Sequence, residues 1–524
     1  MTPEEWIAHD PDPACAAELS ACTPDELAAR FGSSLTFGTA GLRGPMRAGP
    51  SGMNLAVVLR TTWALGRVLK HSAGGSHVFV GYDARHGSAG FAAATAEVLA
   101  AEGFSVTLFS SPLPTPVLAF AVRQSGALAG VQITASHNPP ADNGYKVYIE
   151  GGSQLVPPVD REIESAIAAA PYADEIPRVP VTPSDQTEVV ELYLARAAAL
   201  RSGSGTVRVA LTPLHGVGGA LAVEALHRAG FTDVHTVTSQ FAPNPDFPTV
   251  AFPNPEEPGA ADALLDLAAR VDADIAVALD PDADRCAIGI PTSGRWRMLS
   301  GDETGWLLGD YILSRPAAAA RTVATTVVSS RMLSAIAEDH HAHHVETLTG
   351  FKWLARAAGD DLVYAYEEAI GYCVDPAAVR DKDGISAAVL CCDLLAAAKA
   401  AGSGIPDLLD GLARRHGVHL PMPVTARTDE AAAVMARVRA DPPGTLAGFA
   451  VVATERADVV ILSGGDDQVR VRVAMRPSGT EPKIKAYIEI SLPADDDVAA
   501  ARRFAYDTCD TVRRDVVTLL QDRR

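Results

Sequence analysis

Apolar and polar positions along this chain fall into blocks that predict strands running into helices. An apolar run over 77–82 leads to Asp83 and Arg85, then to an Ala-rich helix over 89–102 closed by Gly103. The run over 207–212 repeats the pattern, passing through His215 and Gly216 into a helix over 219–229 and Gly230. A third run over 321–328 precedes a helix over 331–339. These β-loop-α units begin roughly 110 to 130 residues apart, a long-period recurrence. Residues 1–35 read as polar helices, with Thr23-Pro24-Asp25-Glu26 as a helix-opening cap. After about 425 the pattern shortens. Apolar runs over 451–454 and 459–462 alternate with charged turns, and 468–475 alternates residue by residue, as a half-buried strand does. The fold expected is three topologically related α/β domains and a smaller C-terminal α+β domain. Linkers are expected over 177–185, over 202–205, near Ala317 and over 421–423, where proline or glycine and serine interrupt the pattern. The domains are placed at 1–203, 204–312, 313–422 and 423–524.

Length and composition narrow the classes. At 524 residues the chain exceeds one ordinary core. A net charge of −20 argues against a nucleic-acid partner and leaves phosphorylated small molecules open, since a few local cations suffice to hold them. Seven cysteines, odd in number and without zinc spacing, fit a reducing cytoplasm. No apolar stretch of about 20 residues predicts a membrane span, and residues 1–6 lack a signal pattern. The expectation is a cytoplasmic protein without membrane or nucleic-acid partners, monomeric or homodimeric.

Candidate chemistry sits in loops at predicted strand ends, where open α/β sheets place their ligands. The apolar run over 127–133 ends in Thr134-Ala135-Ser136-His137-Asn138-Pro139, followed by the breakers Pro140, Asn143 and Gly144, and then a second run over 145–149 with Lys146. Ser136 becomes a nucleophile once activated or loaded with phosphate. His137 stands beside it, and Lys146 can neutralise a phosphoryl group or move a proton. The alternative is a turn whose serine caps backbone groups. A glycine-rich turn around Arg43 can face phosphate as well, although such turns are common for structural reasons.

The apolar run over 274–279 enters Asp280-Pro281-Asp282-Ala283-Asp284-Arg285. Alternate residues of an extended chain point the same way, so three carboxylates can converge on a hard cation such as Mg²⁺. An EF-hand fails here, because Arg285 and Pro291 stand where Gly and Glu are needed. A dehalogenase-type phosphatase loop fits less well, with Ala283 and Asp284 where Thr or Val is usual. An acidic surface turn is the remaining alternative. Two further loops are polar: Glu367-Glu368, able to accept from sugar hydroxyls, with Lys352 upstream as a cation, and Arg476-Pro477-Ser478-Gly479-Thr480, a grouping of donors suited to an anion. Paired acids are also common on solvated faces. His340, His341, His343 and His344 read as a solvated helix end, with metal binding as the alternative.

Together these motifs, in this order over roughly residues 37–488, resemble the α-D-phosphohexomutase superfamily, which includes phosphoglucomutases and phosphomannomutases. The resemblance implies a four-domain, heart-shaped protein around a central cleft. It implies that Ser136 is the phosphoserine, and that Asp280, Asp282 and Asp284 hold Mg²⁺ with a Ser136 oxygen. Lys146 and Arg43 would flank the transferring group, and Glu367 would contact sugar hydroxyls. Arg476, Ser478, Gly479 and Thr480 would bind the phosphate that is not transferred. The reaction implied converts sugar 1-phosphates to 6-phosphates of glucose or mannose through a sugar bisphosphate of the glucose 1,6-bisphosphate type, which also primes the enzyme. One departure stands out. The family's sugar loop often carries a serine after its glutamates, and this chain has Ala369. The form Glu367-Glu368-Ala369-Ile370-Gly371-Tyr372 resembles the phosphoglucomutase-2-like branch, some members of which prefer pentose phosphates or make a hexose bisphosphate. A non-catalytic phosphosugar-binding protein and a phosphatase acting through the Asp280 loop are the readings from other classes.

Overall fold

The computed structural model describes residues 1–38, 41–71, 75–149, 151–292, 294–316, 321–428, 430–477 and 483–521. They form two units, Met1–Leu299 with Gly371–Ala396, and Ser300–Ile370 with Ala397–Arg524.

The first unit opens on short helices whose ends are closed by local chemistry. Thr23 caps the helix Pro24–Phe31, and its backbone N–H donates to Glu26 in return, a reciprocal capping box. Two sheets follow. The first contains β1 (Leu42–Pro45), β2 (His77–Tyr82), β3 (Ser105–Leu108), β4 (Ala129–Ile133), β5 (Asp142–Ile149) and β6 (Ser153–Gln154), in the order β1-β5-β4-β2-β3 with β6 on β5. The second contains β7 (Val209–Thr212), β8 (Val234–Thr236), β9 (Ile275–Leu279), β10 (Cys286–Thr292) and β11 (Arg295–Met298), in the order β11-β10-β9-β7-β8. In each sheet three strands run parallel, β4 and the edge strand β3 beside β2, and β9 and the edge strand β8 beside β7. Antiparallel strands complete one side. The helices Ser88–Ala101 and Gly219–Arg228 follow β2 and β7 within a residue or two of the expected spans.

β4 and β9 are buried along their whole length, as expected of runs with no polar face. Each such aliphatic side chain contributes about 1.5–3 kcal/mol of transfer free energy. That stability offsets the cost of the charges burial places at the strand ends.

The chain corrects one expectation here. Asn143 and Gly144, read as loop breakers, lie inside β5 and pair with Gly44 and Arg43. A side chain at 144 would meet the Thr134 carbonyl beyond β4 at 2.6 Å and the Leu42 carbonyl of β1 at 2.8 Å, so glycine is what lets β5 close on both neighbours.

In the second unit β12 (Thr322–Thr326), β13 (His343–Thr347) and β14 (Leu362–Glu367) run parallel with β12 central. The chain then supplies β15 (Gly371–Cys373) and the first part of the helix Gly384–Ala400 to the first unit. That helix is apolar because residues such as Val389, Leu390 and Leu394 are buried. No single helix among the described residues is long and apolar enough to cross a membrane.

The last sheet is antiparallel: β16 (Val418–Arg427), β17 (Thr445–Leu446), β18 (Phe449–Arg456), β19 (Val459–Gly465), β20 (Arg470–Pro477) and β21 (Lys483–Leu492), ordered β16-β21-β20-β19-β18-β17. The helix Val498–Gln521 covers it, burying Ala505, Cys509, Val512, Val516 and Leu520 on one face. The expected linker at 421–423 is instead the middle of β16, with Pro421 opposite Glu489 and Pro423 opposite Tyr487. β16 is an edge strand, and an edge tolerates prolines because one row of its backbone groups needs no partner. The linker expected near Ala317 adjoins residues outside the described set.

Candidate active site

In the first unit two loops meet, one leaving the end of β4 and one leaving the end of β9. Ser136 lies just beyond β4 and Asp280 just beyond β9. The Ser136 Oγ donates to Asp280 Oδ2 at 2.7 Å. Ser136 has φ of 54°, in the left-handed region that side chains seldom adopt, and its N–H is held by Thr134 Oγ1 at 2.9 Å. Backbone strain of this kind, at a fully buried hydroxyl, fixes the direction in which Oγ points.

The three aspartates are fully buried, and their carboxylate oxygens lie within 4.8 Å of one another. Lys146, on β5, donates to Asp282 Oδ2 at 2.6 Å and to Asp284 Oδ2 at 2.7 Å. The Arg285 N–H donates to Asp280 Oδ1 at 3.0 Å, and its guanidinium donates to Ser136 Oγ at 3.1 Å and reaches His137 Nδ1. Arg43 is half-buried on β1, and its charge acts on all three aspartates and on His137.

Electrostatics divides the acids. Burial, reinforced by Asp282 and Asp284, pushes Asp280 well above the usual carboxylate range. Burial also acts on Asp284, but Lys146, Lys382 and Arg285 outweigh it and hold Asp284 well below that range. Asp282 feels burial and Asp284, and Lys146 leaves it lowered on balance. Burial, then the charges of Arg285 and Arg43, hold His137 well below the ordinary imidazole value, so it is neutral near pH 7.

Several participants escaped the sequence reading. Arg85 donates to four carbonyl oxygens of the serine loop: Ser136 at 2.8 Å, Asn138 at 2.5 Å, Pro139 at 2.7 Å and Asp142 at 3.1 Å. Its neighbour Asp83 accepts from Thr134 and Ser88. Lys382 is buried with Nζ 3.1 Å from Asp284. Thr115 donates to Asp282 Oδ2 at 2.6 Å. The segment around Lys382 is pressed onto the aspartate loop: the Gly384 N–H donates to the Ala283 carbonyl, and a Cβ at 384 would meet the Arg285 carbonyl at 2.4 Å. The only trace in the sequence was a run of alternating charges before a glycine, which also describes an ordinary surface turn.

These residues fit a hard divalent cation. Asp282 Oδ1 and Asp284 Oδ1 are buried without a hydrogen-bond partner, and such oxygens are costly unless something positive coordinates them. An all-carboxylate donor set suits Mg²⁺. Among the described residues this trio is the one group of acids, histidines or cysteines placed to hold a metal. The histidine cluster is put to other use. His340 pairs with Asp310, and His344 meets Thr325 Oγ1 and is pushed down to about 4 by burial.

Lys352, Glu367, Glu368 and Arg476 belong to the second unit. Glu367 is buried at the end of β14. Glu368 accepts from Thr326 and Ser329, each at 3.2 Å. Arg476 lies near the end of β20, with a buried Nε that has no partner. Burial lowers its basicity, but the Tyr487 phenol and Glu368 outweigh that and leave it raised. Lys352 lies 5.9 Å from the centre of the Trp353 ring. Ser478, Gly479 and Thr480 lie outside the described residues.

Comparison with known proteins shows the family. Three family models match, described as phosphoglucomutase/phosphomannomutase alpha/beta/alpha domains I, II and III, over residues 34–173, 191–293 and 300–414. A Haemophilus influenzae protein named "Probable phosphomannomutase" is 38% identical, covering 84% of this chain and 93% of its own. A Saccharomyces cerevisiae phosphoribomutase is 32% identical over 92% of this chain and 91% of its own. In fold, a crystal structure of a phosphoglucomutase/phosphomannomutase family protein from Burkholderia thailandensis matches with a TM-score of 0.72 at 20% identity, covering 93% of this chain and 97% of that one.

Proposed function

The chain belongs to the phosphoglucomutase/phosphomannomutase family and is a phosphosugar mutase, and from that premise we propose that Ser136 carries the phosphoryl group it transfers. The observation that carries this reading is the buried Ser136 Oγ, 2.7 Å from Asp280 Oδ2.

The chain's own residues divide the work as follows. Arg85 fixes the serine loop through its carbonyls, and Arg285 and Arg43 place positive charge beside the hydroxyl. Asp280, Asp282 and Asp284 would hold Mg²⁺ with a Ser136 oxygen, and a cation bound there supplies Lewis-acid polarisation of a phosphoryl oxygen. Lys146 exchanges the proton of the accepting sugar hydroxyl, and His137, neutral, orients the serine. Glu367 and Glu368 accept from sugar hydroxyls, with Lys352 nearby in sequence. Arg476, Ser478, Gly479 and Thr480 hold the phosphate that stays. Phosphoryl passes from Ser136 to the free hydroxyl of a sugar monophosphate, and the resulting bisphosphate returns its other phosphoryl to Ser136. Such transfer asks mainly for positioning and charge neutralisation, which these groups supply. We read the chain as four domains, the second opening after residue 203, the third ahead of the helix Gly301–Ser314 and the fourth at β16, since divisions after 312 and 422 would cut that helix and that strand.

The substrates favoured are glucose and mannose 1-phosphates with their 6-phosphates, primed by a sugar bisphosphate. Ala369 and the likeness to a yeast phosphoribomutase keep pentose 1- and 5-phosphates as the second reading. Rates measured side by side on glucose, mannose and ribose 1-phosphates, with a bisphosphate primer, decide between them. The expected order puts a hexose first, and ribose faster than both by tenfold selects the second reading. Ser136→Ala should lower turnover on every substrate by about a thousandfold or more while leaving the thermal unfolding profile unchanged. Retention of activity by that variant removes the serine from the mechanism.

A further inference from the structure

The second unit contains a cleft of about 770 Å³ between the strands β18 to β21 and the helix Met332–Asp339. It opens at the end of β20 and β21 where Arg470 pairs with Ser491. The loop carrying Ser478, Gly479 and Thr480 joins the same two strands at their other end. The cleft is therefore not the phosphate loop.

Three of its arginines converge on a single acid. Arg331 and Arg456 both pair with Glu346, and Arg472 approaches the same carboxylate at 3.6 Å. One carboxylate cannot satisfy three guanidinium groups, each with five donors. Glu489, the other buried acid of the cleft, is already taken. It accepts from Ser330 Oγ at 2.5 Å and from the Arg331 N–H at 2.9 Å, and it pairs with His419 at 2.9 Å. Arg470 adds a fourth guanidinium. Glu338 and Asp467 also line the cleft, both as exposed side chains. The His416 side chain is 6% exposed, and its Nε2 has no hydrogen-bond partner, the nearest acid being Asp339 at 3.9 Å. Hydroxyl and amide groups of Ser334, Thr454, Ser463 and Gln468 complete the wall, and among the described residues no Phe, Tyr or Trp lines it.

We propose that this cleft is a regulatory site for a phosphorylated polyol. Three guanidinium groups gathered on one carboxylate recognise a phosphoryl dianion. The hydroxyl-lined wall suits a polyhydroxylated body, and without an aromatic platform a nucleobase finds nothing to stack on. The volume lies within the range of small-molecule sites and exceeds what inorganic phosphate fills.

The same residues connect the cleft to Glu368. Segment 326–331 is held at one end by Glu368, through Thr326 and Ser329. It is held at the other by cleft residues: Arg472 donates to the Val327 carbonyl, and Glu489 accepts from Ser330 and Arg331. A phosphoryl group that draws Arg331 and Arg472 to itself changes how this segment holds Glu368. This coupling rests on the sugar-binding role of Glu368 given above, whereas binding in the cleft does not.

Titration calorimetry of the full chain with sorbitol 6-phosphate, at fixed ionic strength, tests the site. The double variant Arg456→Gln/Arg470→Gln should weaken binding at least tenfold, Arg456→Lys, which keeps the charge but not the fork, should weaken it less, and inorganic phosphate should bind more weakly than the polyol phosphate. Unaltered affinity in the double variant, or inorganic phosphate binding as tightly, overturns the site. In the kinetic arm, saturating sorbitol 6-phosphate should change the sugar-phosphate KM at least threefold in the unaltered protein and not in the double variant. An equal KM change in both proteins locates the probe at the active site and overturns the coupling. A chain that binds in the cleft but shows no mutase turnover refutes the function above and leaves the site standing.

Discussion

The two units gather charge in opposite senses. In the first, three buried carboxylates face two ammonium groups and a guanidinium: Asp280, Asp282 and Asp284 against Lys146, Lys382 and Arg285. In the second, three guanidinium groups face one carboxylate, Glu346. The first centre lies out of water, where a missing partner costs several kcal/mol. The second is open, with the Arg331 and Arg456 side chains about half exposed, and water screens what the protein does not pair. Burial makes the aspartate centre rigid and specific. Exposure makes the arginine cleft replaceable group by group, as suits a site that fills and empties.

The largest expected effect breaks the acidic centre itself. Asp282→Asn removes one carboxylate that a cation needs and that Lys146 and Thr115 contact. Mutase turnover should fall by roughly a thousandfold, and calorimetric Mg²⁺ affinity should fall with it. Full activity at ordinary Mg²⁺ concentration would contradict the assignment of the trio.

Next comes the contrast in stability. Lys382→Met leaves Asp284 short of one buried counter-charge and should lower the unfolding free energy by about 2–5 kcal/mol. Arg456→Gln, with its side chain 47% exposed, should cost no more than about 1 kcal/mol. Denaturant titration of the two variants in parallel measures both, and equal losses would erase the distinction between the centres.

The last contrast is read as a slope with pH and concerns an acid of the second unit whose partners are neutral. Asp302 accepts from the Ser330 N–H and the Tyr366 hydroxyl, and burial pushes it up to about 8. The unfolded carboxyl titrates near 3.8, so between these values the folded chain keeps a proton that the unfolded chain has lost. Its contribution is therefore complete below about pH 4 and is lost as pH rises towards 8, at about 1.4 kcal/mol per pH unit. Asp302→Asn should remove that slope in urea unfolding at pH 5, 6, 7 and 8. An unchanged slope means that the native carboxyl is already ionised, like that of Asp284.

Much of this was legible in the residues. Runs with no exposed polar face marked β4, β7, β9 and β12, because a strand covered on both sides keeps few polar residues, and those it keeps, such as Gln132 and Thr325, are buried. The loops after β4 and β9 declared their chemistry by grouping Ser136 with His137 and three acids at alternate positions. Where the reading went astray, at Asn143, Gly144, Pro421 and Pro423, local preference was overridden by a partner strand far away in sequence.

The sequence by itself determined the strand cores, the loops that bear reactive groups, and the family they mark, since all three are written in short contiguous stretches. Only the tertiary structure decided that Arg85 would grip the serine loop, that Lys382 would reach Asp284 across about a hundred residues, and that Arg331, Arg456 and Arg472 would share Glu346. The reason is physical. The energy of a charge depends on what surrounds it and how dry that place is, and neither is a property of the charge's neighbours along the chain.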